Sequence, residues 1–169
     1  MKRLVQVLIL FSVGVSCQER KKETQDAQIE KRIFDNIGLL TFDQKKKLYQ
    51  VIENLEKEIG SQIAIIVMDT LKGRNINEVS LELSTKLNLG RDKYRDGLLI
   101  LVAINDHKMR IEVGAGLERI ITDEIAGRIV REDIVPEFKK QEYYKGLFAA
   151  ITEIDKLIRD NKSLIGKSL

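Results

Sequence analysis

Two apolar stretches separated by a four-residue turn constrain this chain most. Leu98 to Ile104 is an unbroken apolar run, which reads as a strand covered on both faces. Met109 to Val113 alternates Met, Arg, Ile, Glu, Val, the pattern of a strand with one buried face. Asn105 to Lys108 makes the turn between them. The second strand runs back antiparallel, so its exit at Gly114-Ala115-Gly116 lies at the end of the sheet where Asp96 starts the first strand. The segment from Asp96 to Glu124 therefore packs a buried hairpin, a glycine elbow and several carboxylates into one unit.

The flanking sequence supplies the other layers. Ile63 to Met68 is a second fully apolar run, hence a central strand. Ahead of it, Thr41-Phe42-Asp43-Gln44 fits a capping box, and Leu48, Val51, Ile52, Leu55 and Ile59 then share one helical face that Gly60 stops. Ile76, Val79, Leu83 and Leu87 line the next helix, ended by Gly90. After the elbow, Thr122 caps a helix carrying Ile125, Ile129 and Val130, Pro136 breaks it, and a last helix packs Leu147, Ile151, Ile154 and Leu157. The order helix, strand, helix, strand, strand, helix, helix predicts an α/β fold. It is a three-layer α/β/α sandwich on a small mixed sheet, with parallel central strands joined by a right-handed crossover and an antiparallel hairpin added. No internal repeat and no second domain is visible.

The N-terminus reads as an export signal. Met1-Lys2-Arg3 is a positive n-region, Leu4 to Val13 an apolar h-region, and Gly14-Val15-Ser16-Cys17 a small-residue processing site ending in the only cysteine. Ten apolar-rich residues are too few to span a bilayer as a mature helix. Cys17 at that position resembles a lipobox cysteine, although Gly14 stands where the strict pattern prefers Leu. The expected organisation is a lipoprotein signal peptide over 1–17, a charged tether over 18–32, the folded domain over 33–160 and a polar tail over 161–169. The protein is then exported and lipid-anchored to a bacterial membrane, facing the periplasm or the exterior. Removing Lys2 and Arg3 from the 29 Lys and Arg residues leaves 27 against 26 acids, a balance of +1 that gives no footprint for nucleic acid.

Topology sorts the polar residues into two rims. One carries Asp92, Asp96, the elbow, Glu118, Asp123 and Glu124; the other carries Asp69, Thr70, Gly73, Asn105 and Asp106. Strands of about six residues separate the rims by roughly 20 Å, too far for one small ligand to use both. The carboxyl-end rule for parallel sheets favours the Asp69 and Asp106 rim, whereas carboxylate and glycine content favours the other. His107 reads as a solvated turn residue, Asp35 as a local turn acceptor or a ligand, and Tyr143 and Tyr144 as core packing.

From Ile33 to Ile158 the chain carries, in order, Asp35-x-x-Gly38-Leu39-Leu40, Gly60-Ser61-Gln62-Ile63-Ala64, Asp96-Gly97-Leu98-Leu99-Ile100 and Arg110-Ile111-Glu112-Val113-Gly114-x-Gly116-Leu117-Glu118, with Thr122-Asp123, Pro136-x-Phe138 and Tyr143-Tyr144-x-Gly146-Leu147 afterwards. In these motifs it resembles the TPM domain family. Where that family often has Asn-Asn-Gly or Asp-Asn-Gly, this chain has Arg95-Asp96-Gly97. The resemblance implies a Rossmann-like fold, divalent-cation binding in an acidic pocket, and either acid phosphatase activity or a role in assembling membrane complexes. It favours the elbow rim. Asp92, Asp96, Glu118 and Asp123, with carbonyls of the Gly114 and Gly116 elbow, are the hard oxygen donors that Ca²⁺ or Mg²⁺ takes, and the lack of usable Cys and His excludes zinc. The plain alternative is that Asp123 and Glu124 serve the helix dipole, Asp92 and Asp96 are loop residues, and the two glycines serve positive-φ turns. Two functions follow as expectations: a membrane-anchored, cation-binding interaction module for envelope or membrane protein complexes, and a metal-assisted phosphatase for phosphomonoesters. Metabolic palmitate labelling of the wild type and its loss in Cys17→Ala is the expected outcome for the anchor; an unlabelled wild type rejects it.

Overall fold

A computed structural model describes residues 26–167. The signal segment, Cys17 and the first part of the tether lie outside the described residues. The sheet has four strands in the order β1-β2-β3-β4: β1 (Ile33–Asp35), β2 (Gln62–Met68), β3 (Gly97–Ala103) and β4 (Lys108–Val113). β1 pairs parallel with β2, β2 parallel with β3, and β3 antiparallel with β4. All seven residues of β3 are buried, as an unbroken apolar run with a layer on each face requires.

The two faces are covered unequally. Ile63, Ile65, Val67, Leu98, Ile100, Val102 and Ile111 face a large core built with α1 (Phe42–Glu58), α3 (Asp123–Ile129), α4 (Val135–Lys139) and α5 (Tyr143–Asp160). Ala64, Ile66, Leu99, Leu101 and Ala103 face the other way, against α2 (Ile76–Lys86) and its flanks. The expected capping box is present: the Gln44 amide donates to Thr41 Oγ1 and the Gln44 side chain accepts from the Thr41 amide at 2.9 Å. Gly60 follows α1 at φ +96, the left-handed conformation that stops a helix, whereas α2 ends ahead of Gly90: its cap is Leu87 and the left-handed residue is Asn88 at φ +48, with the Leu89 amide reaching back to the Ser84 carbonyl.

Four local expectations need correction. Ile33 to Asp35 forms an edge strand ahead of the first helix, an element the expected order lacks. Residues 26–30, assigned to the tether, are helical, and Ile29 is 1 % exposed inside the main core. The polar tail also packs, with Leu164 and Ile165 against that core. Pro136 does not break the helix before it. Val130–Ile134 is a π-helical turn, the Val135 amide reaching back five residues to the Val130 carbonyl, and α4 continues directly. A turn widened in this way absorbs a proline whose ring would collide with the carbonyl four residues earlier.

The π turn carries a cost at Asp133. Its Oδ2 is buried without a hydrogen-bond partner, and burial pushes the carboxyl above its ordinary value of 3.8, Glu153 and Glu132 adding to the rise and Arg128 opposing it. An acid raised in the folded state destabilises as pH climbs through that raised value, and the effect vanishes below the unfolded value. Asp133→Asn is therefore expected to melt above wild type at pH 7, the gap closing toward pH 4; a gap independent of pH in thermal melts would contradict this.

Candidate functional site

The elbow rim is where the backbone packs most tightly. The Gly114 amide donates to the Gly97 carbonyl at 2.8 Å and the Gly116 amide to the Arg95 carbonyl at 3.0 Å, which places the elbow beside Asp96. Neither elbow glycine has positive φ, so the turn explanation does not apply. They are required for close approach: a Cβ on Gly116 would fall 1.7 Å from the Tyr94 carbonyl oxygen, and one on Gly114 2.5 Å from that of Arg95. The C-terminal segment closes over the same place, the Gly166 amide donating to the Gly116 carbonyl at 2.9 Å.

The carboxylates expected at this rim do not behave as a set. Asp92, Glu118 and Asp123 are exposed, as is Glu124, and Thr122 caps α3 through the Ile125 amide. Asp96 is completely buried. Its Oδ1 accepts the Arg91 amide at 2.9 Å, and its Oδ2 accepts Arg91 Nη2 at 2.5 Å, Arg91 Nε at 3.1 Å and the Ser61 hydroxyl at 3.2 Å. Among the described residues, no group of three or more His, Cys, Asp or Glu comes together to hold a metal ion. Calcium takes about six to eight oxygens and magnesium about six. The donors present do not fit either ion, because the one enclosed carboxylate is already bonded to a guanidinium.

Arg91, Ser61, Gly60 and Tyr94 are the residues that sequence reading did not assign to this rim. Gly60 and Ser61 stood in a quoted motif, and only Ser61, Ser80 and Asp96 are polar and fully buried among the described residues. Ser80 lies elsewhere, donating to Glu112 at 2.7 Å where α2 crosses β4. Gln62 also ties the rim together, its side chain accepting the Gly90 amide at 2.9 Å and donating to Glu56 at 2.9 Å.

The opposite rim is held by local bonds. The Asp106 carboxylate accepts the Leu71 amide, which holds its carboxyl below the ordinary value; Thr70, Lys108 and His107 pull the same way against slight burial. His107 is exposed at φ +50 in the hairpin turn. The Asp35 side chain is enclosed, accepting the Leu39 and Leu40 amides at 3.0 and 2.9 Å with Lys45 Nζ at 3.3 Å. Burial would raise its carboxyl, but these amides and the ammonium prevail and lower it. Tyr143 packs edge-on to Phe138 at 5.1 Å, a core role. A groove of about 750 Å³ at the β1 edge, lined by Arg32, Phe34, Tyr49, Glu53 and Lys86 among others, mixes both charges.

A family model described as TPM domain matches residues 33–157. The chain belongs to the TPM domain family. Its fold is similar to the solution structure of the N-terminal domain of a P. gingivalis protein, with a TM-score of 0.73 at 21 % identity, covering 83 % of this chain and 89 % of that one. A protein of the psychrophilic bacterium Bizionia argentinensis gives 0.63 at 20 % identity over 75 % and 86 % of the two chains. The N-terminal domain of a Corynebacterium glutamicum protein gives 0.60 at 9 % identity over 100 % and 91 %. No curated protein matches the chain. At these identities the neighbours establish the TPM fold alone.

Gly116 and Gly38 separate close packing from backbone conformation. Gly116→Ala drives a methyl group into a carbonyl and is expected to cost about 3 kcal/mol or more, whereas Gly38→Ala, with φ +68 but nothing within 4 Å, costs roughly 1 kcal/mol. Urea midpoints measure both, and equal losses would reject the close-approach explanation.

Proposed function

We propose that this TPM-domain protein is a membrane-tethered interaction module that acts on envelope or membrane protein complexes. The observation that carries the reading is the fate of the enclosed acids. Asp96 and Asp35 are the two enclosed carboxylates, and both are engaged by the chain's own amides and cations. A general base or metal ligand must keep an acceptor free for its substrate or ion. What the rim offers outward instead is exposed Asp92, Lys93, Arg95, Glu118 and Arg119 around a rigid elbow, a mixed-charge surface suited to recognition. Among the described residues its acids do not converge as a cation site would need.

The tether adds to this reading. A lipid at Cys17 and a short charged segment would confine the domain to a layer next to the membrane, where effective concentration favours modest contacts with membrane-embedded partners. A phosphatase acting through a metal at Asp96 and Asp123 would need Arg91 to leave first.

Two measurements on the full chain decide between the classes. A photo-cross-linker at Arg119 is expected to give a defined adduct with a membrane protein in intact cells, absent when the probe replaces Thr152 on the outer side of α5. Phosphomonoester hydrolysis with calcium, magnesium or EDTA is expected to stay at the level of Asp123→Asn. Turnover that EDTA and Asp123→Asn both abolish would sink the module reading.

A further inference from the structure

A buried carboxylate requires a counter-charge, because low-dielectric surroundings strongly disfavour an isolated anion. At this rim the counter-charge comes from five residues upstream in the same loop. Arg91 meets Asp96 with two nitrogens, Nη2 at 2.5 Å and Nε at 3.1 Å from Oδ2, Nε also lying 3.4 Å from Oδ1. Its own backbone amide and the Ser61 hydroxyl take up further acceptor directions on the two oxygens. A carboxylate has about four such directions, so no oxygen is left with capacity for an ion.

The guanidinium sits in a slot built for it. Its carbon lies 4.1 Å from the Tyr94 ring centroid, a cation held over an aromatic face. On another side is Gly60 at φ +96, where a Cβ would stand 2.3 Å from Arg91 Nη1 and would push the guanidinium from its place. Tyr94 in turn contributes its carbonyl to the crowding at Gly116, and its ring lies against Gly166. The cation thereby joins the end of α1 to the start of β3, and through Tyr94 the same loop reaches the elbow and the C-terminal segment.

We propose that Arg91 occupies the place a divalent cation would take at this rim, so that the loop 91–96 and the elbow are organised by a covalently attached guanidinium and not by calcium or magnesium. The planar fork of arginine suits the role, because it can hold a carboxylate edge-on while lying flat on a ring, which an ammonium cannot do. The exposed positions of Asp92, Glu118 and Asp123 agree with it, since a cation-centred rim would draw them inward. This goes beyond the module reading and stands apart from it, because its readout is thermal melting and not partner capture or turnover.

The test is a charge-pair cycle read with and without metal, on the full chain in detergent. Tm is measured in EDTA and in about 5 mM calcium or magnesium, far above a physiologically useful dissociation constant. Wild type is expected to melt at the same temperature in all three. Arg91→Met is expected to lose roughly 8 °C or more in EDTA, and Asp96→Asn in the same chain to recover at least half of that loss, because the pair is coupled. With the guanidinium gone, Arg91→Met should gain a calcium-dependent rise in Tm. Arg91→Lys, which keeps a charge and guards against a variant that does not fold, should melt between the two and ignore calcium. A wild-type Tm raised by calcium, additive losses in the double variant, or an Arg91→Met that stays indifferent to calcium would each overturn the proposal.

Discussion

The Arg91–Asp96 pair is the interaction on which the rim depends. β3 is buried along its whole length and must start from a polar residue that has no water around it, so the charge at Asp96 has to be settled within the protein. Settling it fixes the loop from Arg91 onward, and that loop's carbonyls then set how close the elbow can come. The two elbow glycines leave room for the Tyr94 and Arg95 carbonyls of that loop, Gly166 for the Tyr94 ring, and Gly60 for the guanidinium itself.

Much of the fold was legible because its signals are periodic and long. The apolar runs at Ile63 and Leu98 have no solvent-facing positions, which leaves a sheet covered on both sides as the consistent solution, and the Thr41 to Gln44 box marks a helix start by a mechanism that needs only four residues. Three elements escaped for the opposite reason. β1 is three residues long, too short to show alternation, and takes its strand conformation from pairing with Ile65 to Val67. Ile29 is a single apolar residue in a polar run, and Leu164 with Ile165 form only a pair; tertiary burial, not local pattern, orders them. Pro136 was misread because a proline's effect on a helix depends on whether the preceding turn can widen, which composition does not report.

The rim shows a similar division. Antiparallel geometry correctly brought Asp96 and the elbow together, since that follows from counting strand ends. It said nothing about which carboxylate would be enclosed or what would face it. Arg91 lies five positions before Asp96 in a loop, a spacing with no periodic meaning, and Ser61 comes from a different strand end, so their convergence depends on the tertiary path. Carboxylates clustered along a sequence thus separated into one enclosed anion and several solvated ones.

The bond from Gly166 to Gly116 has a kinetic meaning. The rim draws on positions from Gly60 to Gly166, more than a hundred residues apart, so its contacts are among the least local in the chain. Closing such distant segments is entropically slow compared with forming the hairpin between β3 and β4. During synthesis, the hairpin and α1 can form while the rim is still open, and the elbow acquires its final cover only after the last helix has docked. The elbow rim is therefore also the last part of the domain to mature.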